Sequence, residues 1–360
     1  MKRVGALKQL AFEKKGLDGF LVTNGASLLY FAGFPGTASI LIPKKGKSTI
    51  YVYGVNYEQA KAEGKSFKVE LVKRGEDLAT KIAEKAKASK IEKLGLDTIT
   101  GVSGVADYPR LRKTLKGIAK IKIDNEPVRD LRKVKDEQEL ELMRKAGELT
   151  SKGMKAAYET IKPGIRECEV AAEIEYTMRK KGSWGTAFET IVASGTRSAF
   201  PHGGCTDRKI QKGDLVVVDI GASYRHYCSD MTRTIAAGKS STKQKEIYEI
   251  VRLAQEKAFQ AVKPRAKAKD IDAISRKIIG DAGYGEYYVH GLGHGVGLEV
   301  HEPPTLNQQS KDRLTVGNVV TIEPGIYIKG FGGIRVEDTV LVHKRKGEKL
   351  TKGPYTLEAK

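Results

Sequence analysis

Apolar positions in the first third of the chain recur with two different periods. Gly19–Thr23, Ser39–Ile42, Thr49–Val52, Lys93–Asp97 and Ile118–Asp124 are short runs rich in β-branched and apolar residues, and they predict strands. Tyr57–Glu63 and Glu76–Ala88 space their apolar residues three and four apart and predict helices. The alternation describes a small α/β domain with a mixed sheet. No glycine-rich phosphate loop follows any of these strands, and no chemistry is visible among them.

The pattern changes around residues 126–135. Pro127 interrupts it, and from Asp136 a long helix is marked by an apolar face of Leu140, Met143, Leu149 and Met154. The domain boundary is placed here, with an N-terminal α/β domain over 1–130 and a larger domain over 131–360. The larger part contains an internal repeat. Lys212–Gly221 aligns without a gap onto Val316–Gly325, and each copy has a Gly turn, a β-rich run, a carboxylate and a second Gly. Two helical patterns precede each copy: Asp136–Ile161 and Arg166–Lys181, then Thr242–Val262 and Ala268–Ala282. Helix, helix, hairpin, repeated, predicts an α+β domain with pseudo-twofold halves and one curved antiparallel sheet.

The repeat places acids on apolar strands. A turn centred on Tyr224–Arg225 would set Asp219 directly opposite Asp230, roughly 5 Å apart at Cβ. A turn near Gly330 would set Glu323 opposite Glu337. Four carboxylates among Val, Ile and Leu cannot all ionise unpaired, because desolvation and mutual repulsion oppose it. One divalent cation, or a pair, resolves that conflict. Beside these acids stands His290-Gly291-Leu292-Gly293-His294-Gly295-Val296-Gly297-Leu298-Glu299-Val300-His301-Glu302, which holds half of the chain's six histidines. Three imidazoles in a Gly-rich loop mark a site, since glycine lets backbone approach a ligand closely. His202, in Phe200-Pro201-His202-Gly203-Gly204, is a fourth candidate. His226, at a hairpin tip, and His343, near a strand end, are expected to be solvated.

These residues resemble the aminopeptidase P and prolidase family of metallopeptidases, whose catalytic domain has the pita-bread fold. The resemblance extends over Asp219-Ile220-Gly221, Cys228–Thr234, Thr321–Gly325 and Arg335–Asp338, and so covers the second domain. The first 130 residues are similar to the family's N-terminal domain in length and strand order only. The resemblance implies a hydrolase that removes the residue preceding a proline, as a dipeptidase that also takes longer Xaa-Pro peptides. It implies two divalent metal ions, Mn²⁺ or Co²⁺ first and Zn²⁺ or Fe²⁺ also compatible, held by Asp219, Asp230, His294, Glu323 and Glu337. Asp230 and Glu337 would bridge the ions. Glu323 would also shuttle a proton, and His301 would hydrogen-bond the tetrahedral intermediate. His202, counted with the catalytic groups as well, would line the proline subsite with His290. Arg335, grouped with them, would support the metal carboxylates. A homodimer is implied too.

The chain departs from the strict dipeptidases of this family at one position. Several of them carry an arginine four residues after the last motif histidine, thought to anchor the dipeptide's carboxylate; here that position is Thr305. Rival readings are an aminopeptidase P acting mainly on longer peptides, methionine aminopeptidase, creatinase, which lacks metals, and a non-catalytic binding module. The complete ligand set weighs against the last two.

Composition adds little that conflicts. The net charge of +20 raises the question of nucleic acid, yet the lysines are dispersed among glutamates without interleaved aromatics, as on a heat-adapted surface. Nucleic acid and membrane are therefore not expected partners. Three scattered cysteines form no disulfide framework. The charged N-terminus lacks an apolar targeting segment, which makes a cytoplasmic protein the expectation.

Overall fold

Strand and helix periods in the first third give a mixed six-stranded sheet in the computed structural model, which describes residues 2–64, 66–97 and 108–358. Its strands are β1 (Gly19–Val22), β2 (Ala38–Pro43), β3 (Thr49–Tyr53), β4 (Lys68–Val72), β5 (Lys93–Asp97) and β6 (Lys120–Ile123). The order is β4-β3-β2-β1-β5-β6, with β1–β2 and β2–β3 antiparallel and the outer pairs parallel. Helices α1 (Lys2–Lys8), α2 (Gly25–Ala32), α3 (Tyr57–Glu63), α4 (Leu78–Ala88), α5 (Tyr108–Thr114) and α6 (Glu126–Arg132) complete it. Strand β4 and helices α1, α2, α5 and α6 escape the sequence reading. Helices this short have little intrinsic stability and form because tertiary contacts cover them.

The chain divides into two compact units, Met1–Arg132 and Lys133–Lys360. The second opens with α7 (Glu137–Thr160), whose Asp136 cap and Glu139 exchange hydrogen bonds with each other's backbone N–H. Next come α8 (Glu167–Lys180) and strands β7 (Gly185–Thr186), β8 (Ile191–Ser194), β9 (Leu215–Ile220), β10 (Ala222–Tyr224), β11 (Tyr227–Cys228) and β12 (Met231–Ala236). The pattern then restarts with α9 (Thr242–Gln260) and α10 (Ala268–Asp281). It ends with β13 (Gly293–Gly295), β14 (Glu302–Leu306), β15 (Val319–Ile322), β16 (Gly325–Ile328), β17 (Gly332–Arg335), β18 (Asp338–Val342) and β19 (Gly347–Lys349). The duplication reaches beyond the strands. Pro163 and Pro264 follow α7 and α9, and the next residues, Gly164 and Arg265, both take positive φ, 95° and 70°. Arg166 then bridges Lys209 as Lys267 bridges Arg313.

Alternation along β9 decides what each face does. Val216, Val218 and Ile220 pack with Val170, Ile174 and Met178 of α8, while Asp219 falls on the opposite face with Leu215. In the second copy Val320 and Ile322 of β15 pack against Ala258 and Ile271 of α9 and α10, leaving Thr321 on the other face.

Two expectations about the strands change. Asp219 pairs with Thr232, not Asp230, because the β10–β11 turn is centred on Arg225–His226, both with positive φ (47° and 73°). Asp230 instead sits in the irregular step between β11 and β12. In the second copy the expected register holds: Ile322 faces Asp338 and Gly325 faces Arg335, which puts Glu323 across from Glu337. The strands also form several ladders rather than one uninterrupted sheet. Where the two halves meet, side-chain hydrogen bonds stand beside a main-chain one. The Thr234 hydroxyl donates to the Arg335 carbonyl at 3.1 Å and accepts from the Arg335 N–H at 3.0 Å, while the Glu337 N–H donates to the Thr232 carbonyl at 3.0 Å.

Candidate active site

The acids converge where β9, β12, β15 and β17 meet. Ligand atoms of Asp230, His294 and Glu337 lie within 4.8 Å of one another. His294 Nε2 is 3.2 Å from Glu323 Oε1 and 3.7 Å from Asp230 Oδ2. Asp219 joins through Arg335, whose Nη2 donates to Asp219 Oδ2 at 2.5 Å. Its cross-strand partner Thr232 donates to Glu337 Oε2 at 2.5 Å and accepts from Arg335 Nε at 3.0 Å. One guanidinium and one hydroxyl thus tie Asp219 to Glu337.

The electrostatics show how crowded these charges are. Burial, then repulsion from Glu337, Asp219 and Glu323, pushes Asp230 well above the usual carboxylate range. Burial, with Glu323 and Asp219, does the same to Glu337. Burial would raise Glu323 as well, but its hydrogen bond and attraction to His294 prevail and hold it at about 2. His294 is raised in turn: burial pulls it down, and the bond to Glu323 outweighs that. Asp219 Oδ1 and Glu337 Oε1 are buried with no hydrogen-bond partner among the described residues. Orphaned buried oxygens of this kind are destabilising by roughly 1–3 kcal/mol each. A carboxylate-rich, one-imidazole donor set with two unpartnered oxygens and excess negative charge fits divalent cations, which Asp219, Asp230, His294, Glu323 and Glu337 could hold.

The imidazoles differ in what they leave available. His294 Nδ1 lies 3.1 Å from the Gly295 carbonyl, which assigns its proton there and leaves Nε2 facing the acids. His290 has both nitrogens engaged, Nδ1 with the Gly291 carbonyl at 2.7 Å and Nε2 with the Tyr327 hydroxyl at 3.0 Å. Burial lowers its pKa, so it presents a neutral ring. His301 stands edge-on to His294, ring centroids 4.3 Å apart, with no hydrogen bond to either nitrogen among the described residues. Burial and the neighbouring His294 charge lower it too. His202 is exposed. His202, His290 and His301 line one cavity of about 460 Å³ together with the acids, Phe188 and Thr305. His226 and His343 lie apart from it; His343 is exposed, whereas His226 is half-buried, edge-on to Trp184.

Sequence reasoning missed several residues that hold this geometry. Tyr327 relays from Arg335 Nη1 (2.8 Å) to His290, and Thr321 donates to Glu323 Oε1 (2.9 Å) while accepting the His294 N–H (3.0 Å). On α10, Asp272 accepts the Leu292 N–H at 2.9 Å and Arg276 donates to the His290 carbonyl, so one helix face anchors the His-rich loop. Arg335 itself spends every nitrogen on protein partners: Thr232, Tyr327, the Pro201 carbonyl and Asp219. It orients other groups more than it offers donors to a substrate. Only tertiary structure reveals these roles, because a lone Tyr or Thr on a strand carries no periodic signal.

Residues 141–344 match the model for metallopeptidase family M24, and residues 3–134 match the creatinase/prolidase N-terminal domain. The Xaa-Pro dipeptidase of Pyrococcus furiosus is 43% identical over 341 residues, 94% of this chain and 95% of that one. The solved structure of an Xaa-Pro dipeptidase from Bacillus anthracis superposes with a TM-score of 0.93 at 38% identity, covering 99% of both chains. An X-Pro aminopeptidase from Thermotoga maritima superposes at 0.84, with 37% identity over 96% of this chain and 98% of the other. No helix among the described residues is long and apolar enough to cross a membrane.

Proposed function

This chain belongs to metallopeptidase family M24, and on that premise we propose that it hydrolyses the bond between an N-terminal residue and a following proline. The observation that carries the reading is the lining of the cavity: three imidazoles, His202, His290 and His301, share one 460 Å³ space with His294 and the carboxylates of Asp219, Asp230, Glu323, Glu337 and the exposed Glu189. Divalent ions, with Mn²⁺ and Co²⁺ best matched to oxygen-rich ligation, supply Lewis acidity toward the scissile carbonyl and the attacking water when bound to Asp219, Asp230, His294, Glu323 and Glu337.

The side chains do the rest. Glu323, 3.2 Å from His294 and held by the Thr321 hydroxyl at 2.9 Å, presents a carboxylate that accepts the proton of the attacking water. It then returns that proton to the leaving nitrogen. His301, with uncommitted nitrogens beside His294, donates to the oxygen that gains charge at the tetrahedral carbon. The neutral His290 ring, fixed by Tyr327, and His202 form the wall against the proline ring. Removing the His301 imidazole takes away a contact that strengthens in the transition state. His301→Ala is expected to lower kcat by about 100-fold with a smaller rise in KM. A kcat near the wild-type value would remove His301 from this role.

Substrate length rests on Thr305. It lines the cavity and offers one hydroxyl, and Arg335 is the only lysine or arginine among the described lining residues. A bidentate clamp on a free carboxylate typically contributes about 1.5–3 kcal/mol, so without one the preference for dipeptides should fall roughly tenfold or more. The enzyme is therefore expected to cleave Met-Pro and Met-Pro-Xaa peptides with comparable kcat/KM and Met-Ala peptides far more slowly. Assays supplemented with Mn²⁺ or Co²⁺ decide it. Preference for the dipeptide by about a hundredfold would mean another residue anchors the carboxylate, and preference for Met-Ala would overturn the proline reading.

A further inference from the structure

Glu167, the first residue of α8, has no exposed surface, yet its carboxylate accepts five hydrogen bonds. Oε1 takes the Ser194 N–H at 2.8 Å and the Ser194 hydroxyl at 2.7 Å. Oε2 takes the Thr206 N–H at 3.0 Å, the Thr206 hydroxyl at 2.6 Å and Arg197 Nη1 at 2.7 Å. Ser194 and Thr206 are the two feet of one loop, and the loop carries Pro201 and His202 into the cavity. The loop opens with one 3₁₀ turn, Gly195–Ala199, closed by the Ser198 hydroxyl donating to the Gly195 carbonyl at 2.6 Å, and both feet turn through glycines with φ of +58°, Gly195 and Gly204.

Polar clamping fixes this turn to the rest of the domain. Arg197 reaches back from Glu167 to the Gly203 carbonyl, closing the loop on itself. Ser198 accepts the Gly333 N–H at 2.8 Å, and the Pro201 carbonyl accepts from Arg335 at 3.3 Å, so the crown is tied to the strand that leads into Glu337. Burying a carboxylate costs several kcal/mol unless donors compensate it. Here all five donors come from residues 194–206, and none from α8 or the core beneath it.

We infer that Glu167 is a positioning residue for substrate selection: it fixes both feet of the 195–205 loop so that His202 meets the substrate's proline residue. The inference rests on the reading that His202 lines the proline subsite. Glu167 acts through the loop and touches no substrate, so its loss should lower discrimination more than turnover.

The test compares Glu167→Gln, His202→Ala and the double variant, each loaded with Mn²⁺ and checked for bound metal by elemental analysis. The readout is the ratio of kcat/KM for Met-Pro-Xaa to that for Met-Ala-Xaa peptides. Glu167→Gln keeps the volume but turns one acceptor into a donor facing donors. It should lower the ratio by about tenfold or more, mainly through KM, with metal content unchanged. The double variant should be no worse than His202→Ala alone, since both changes remove the same contact. Arg197→Met, which leaves Glu167 four donors, should shift the ratio the same way by less and keeps the test open if Glu167→Gln folds poorly. If His202→Ala leaves the ratio unchanged, the proline-subsite reading fails. If His202→Ala lowers it but Glu167→Gln and Arg197→Met do not, or if they lower both substrates equally, the positioning role of Glu167 is refuted.

Discussion

Glu323→Gln is expected to retain its fold and lose about 10²–10⁴-fold in kcat, the usual contribution of a positioned acid–base group. The side chain sits at a crossing of roles. It is hydrogen-bonded to His294 and to Thr321, and it lies across the β15–β18 register from Glu337. The amide preserves the volume and can still accept from Thr321, but it cannot take a proton from water and hand it on. It also removes one carboxylate charge from the cluster, so bound metal is measured beside the rate. Stopped assays with bound metal quantified by elemental analysis separate the two losses. A variant that keeps its metal yet turns over near the wild-type rate would show that the proton moves through another group.

The sequence carries the helices of the second unit almost to the residue, because α7, α8, α9 and α10 show an uninterrupted period and stop near Pro163, Lys181, Pro264 and Ala282. Register was another matter. The loop at Lys329–Gly333 announces itself through glycine, and Gly330 does take φ of 82°. The turn between β10 and β11 places Arg225 and His226 in the left-handed region, where Asn or Gly is usual. Nothing in Tyr-Arg-His-Tyr signals that geometry, so the turn reads one residue early and Asp219 is assigned the wrong partner.

The candidate site divides along the same line. Acids and imidazoles are conspicuous by type, and their placement on apolar strands already demands compensation. The groups that aim them are silent in sequence. Thr232 and Tyr327 look like ordinary strand residues, and Glu167 looks like a solvated charge at a helix start until its five hydrogen bonds from three residues, twenty-seven to thirty-nine positions away, are seen. Long-range hydrogen bonding leaves no periodic trace, so orientation is legible only in three dimensions.

Exhaustive chelation is expected to abolish turnover and to lower thermal stability, with Mn²⁺ or Co²⁺ restoring both. The reason lies in the charge balance around Arg335. That guanidinium bonds Asp219, and Arg335 is the only arginine or lysine lining the cavity among the described residues, against Asp219, Asp230, Glu323, Glu337 and the exposed Glu189. Its pKa is raised well above the usual value despite burial, by Tyr327 and then the surrounding acids, so its charge is permanent. It still leaves Asp230 and Glu337 resisting ionisation. For a carboxylate whose folded pKa is raised, stability is fully present below the unfolded value near 4 and is lost as pH rises through the folded value. At neutral pH the metal-free protein therefore carries strain that added cations relieve. At a hundredfold excess over Kd, binding to the native state alone contributes about 2.7 kcal/mol. Calorimetric scans of metal-free and reloaded protein at pH 5 and pH 7.5 supply the check. The gain in Tm on reloading should be larger at pH 7.5, where the acids are driven furthest toward ionisation without a partner and protons compete least with the metal for them. Full turnover by metal-free protein, or an equal Tm with and without metal at pH 7.5, would refute the assignment of these five residues as a cation site.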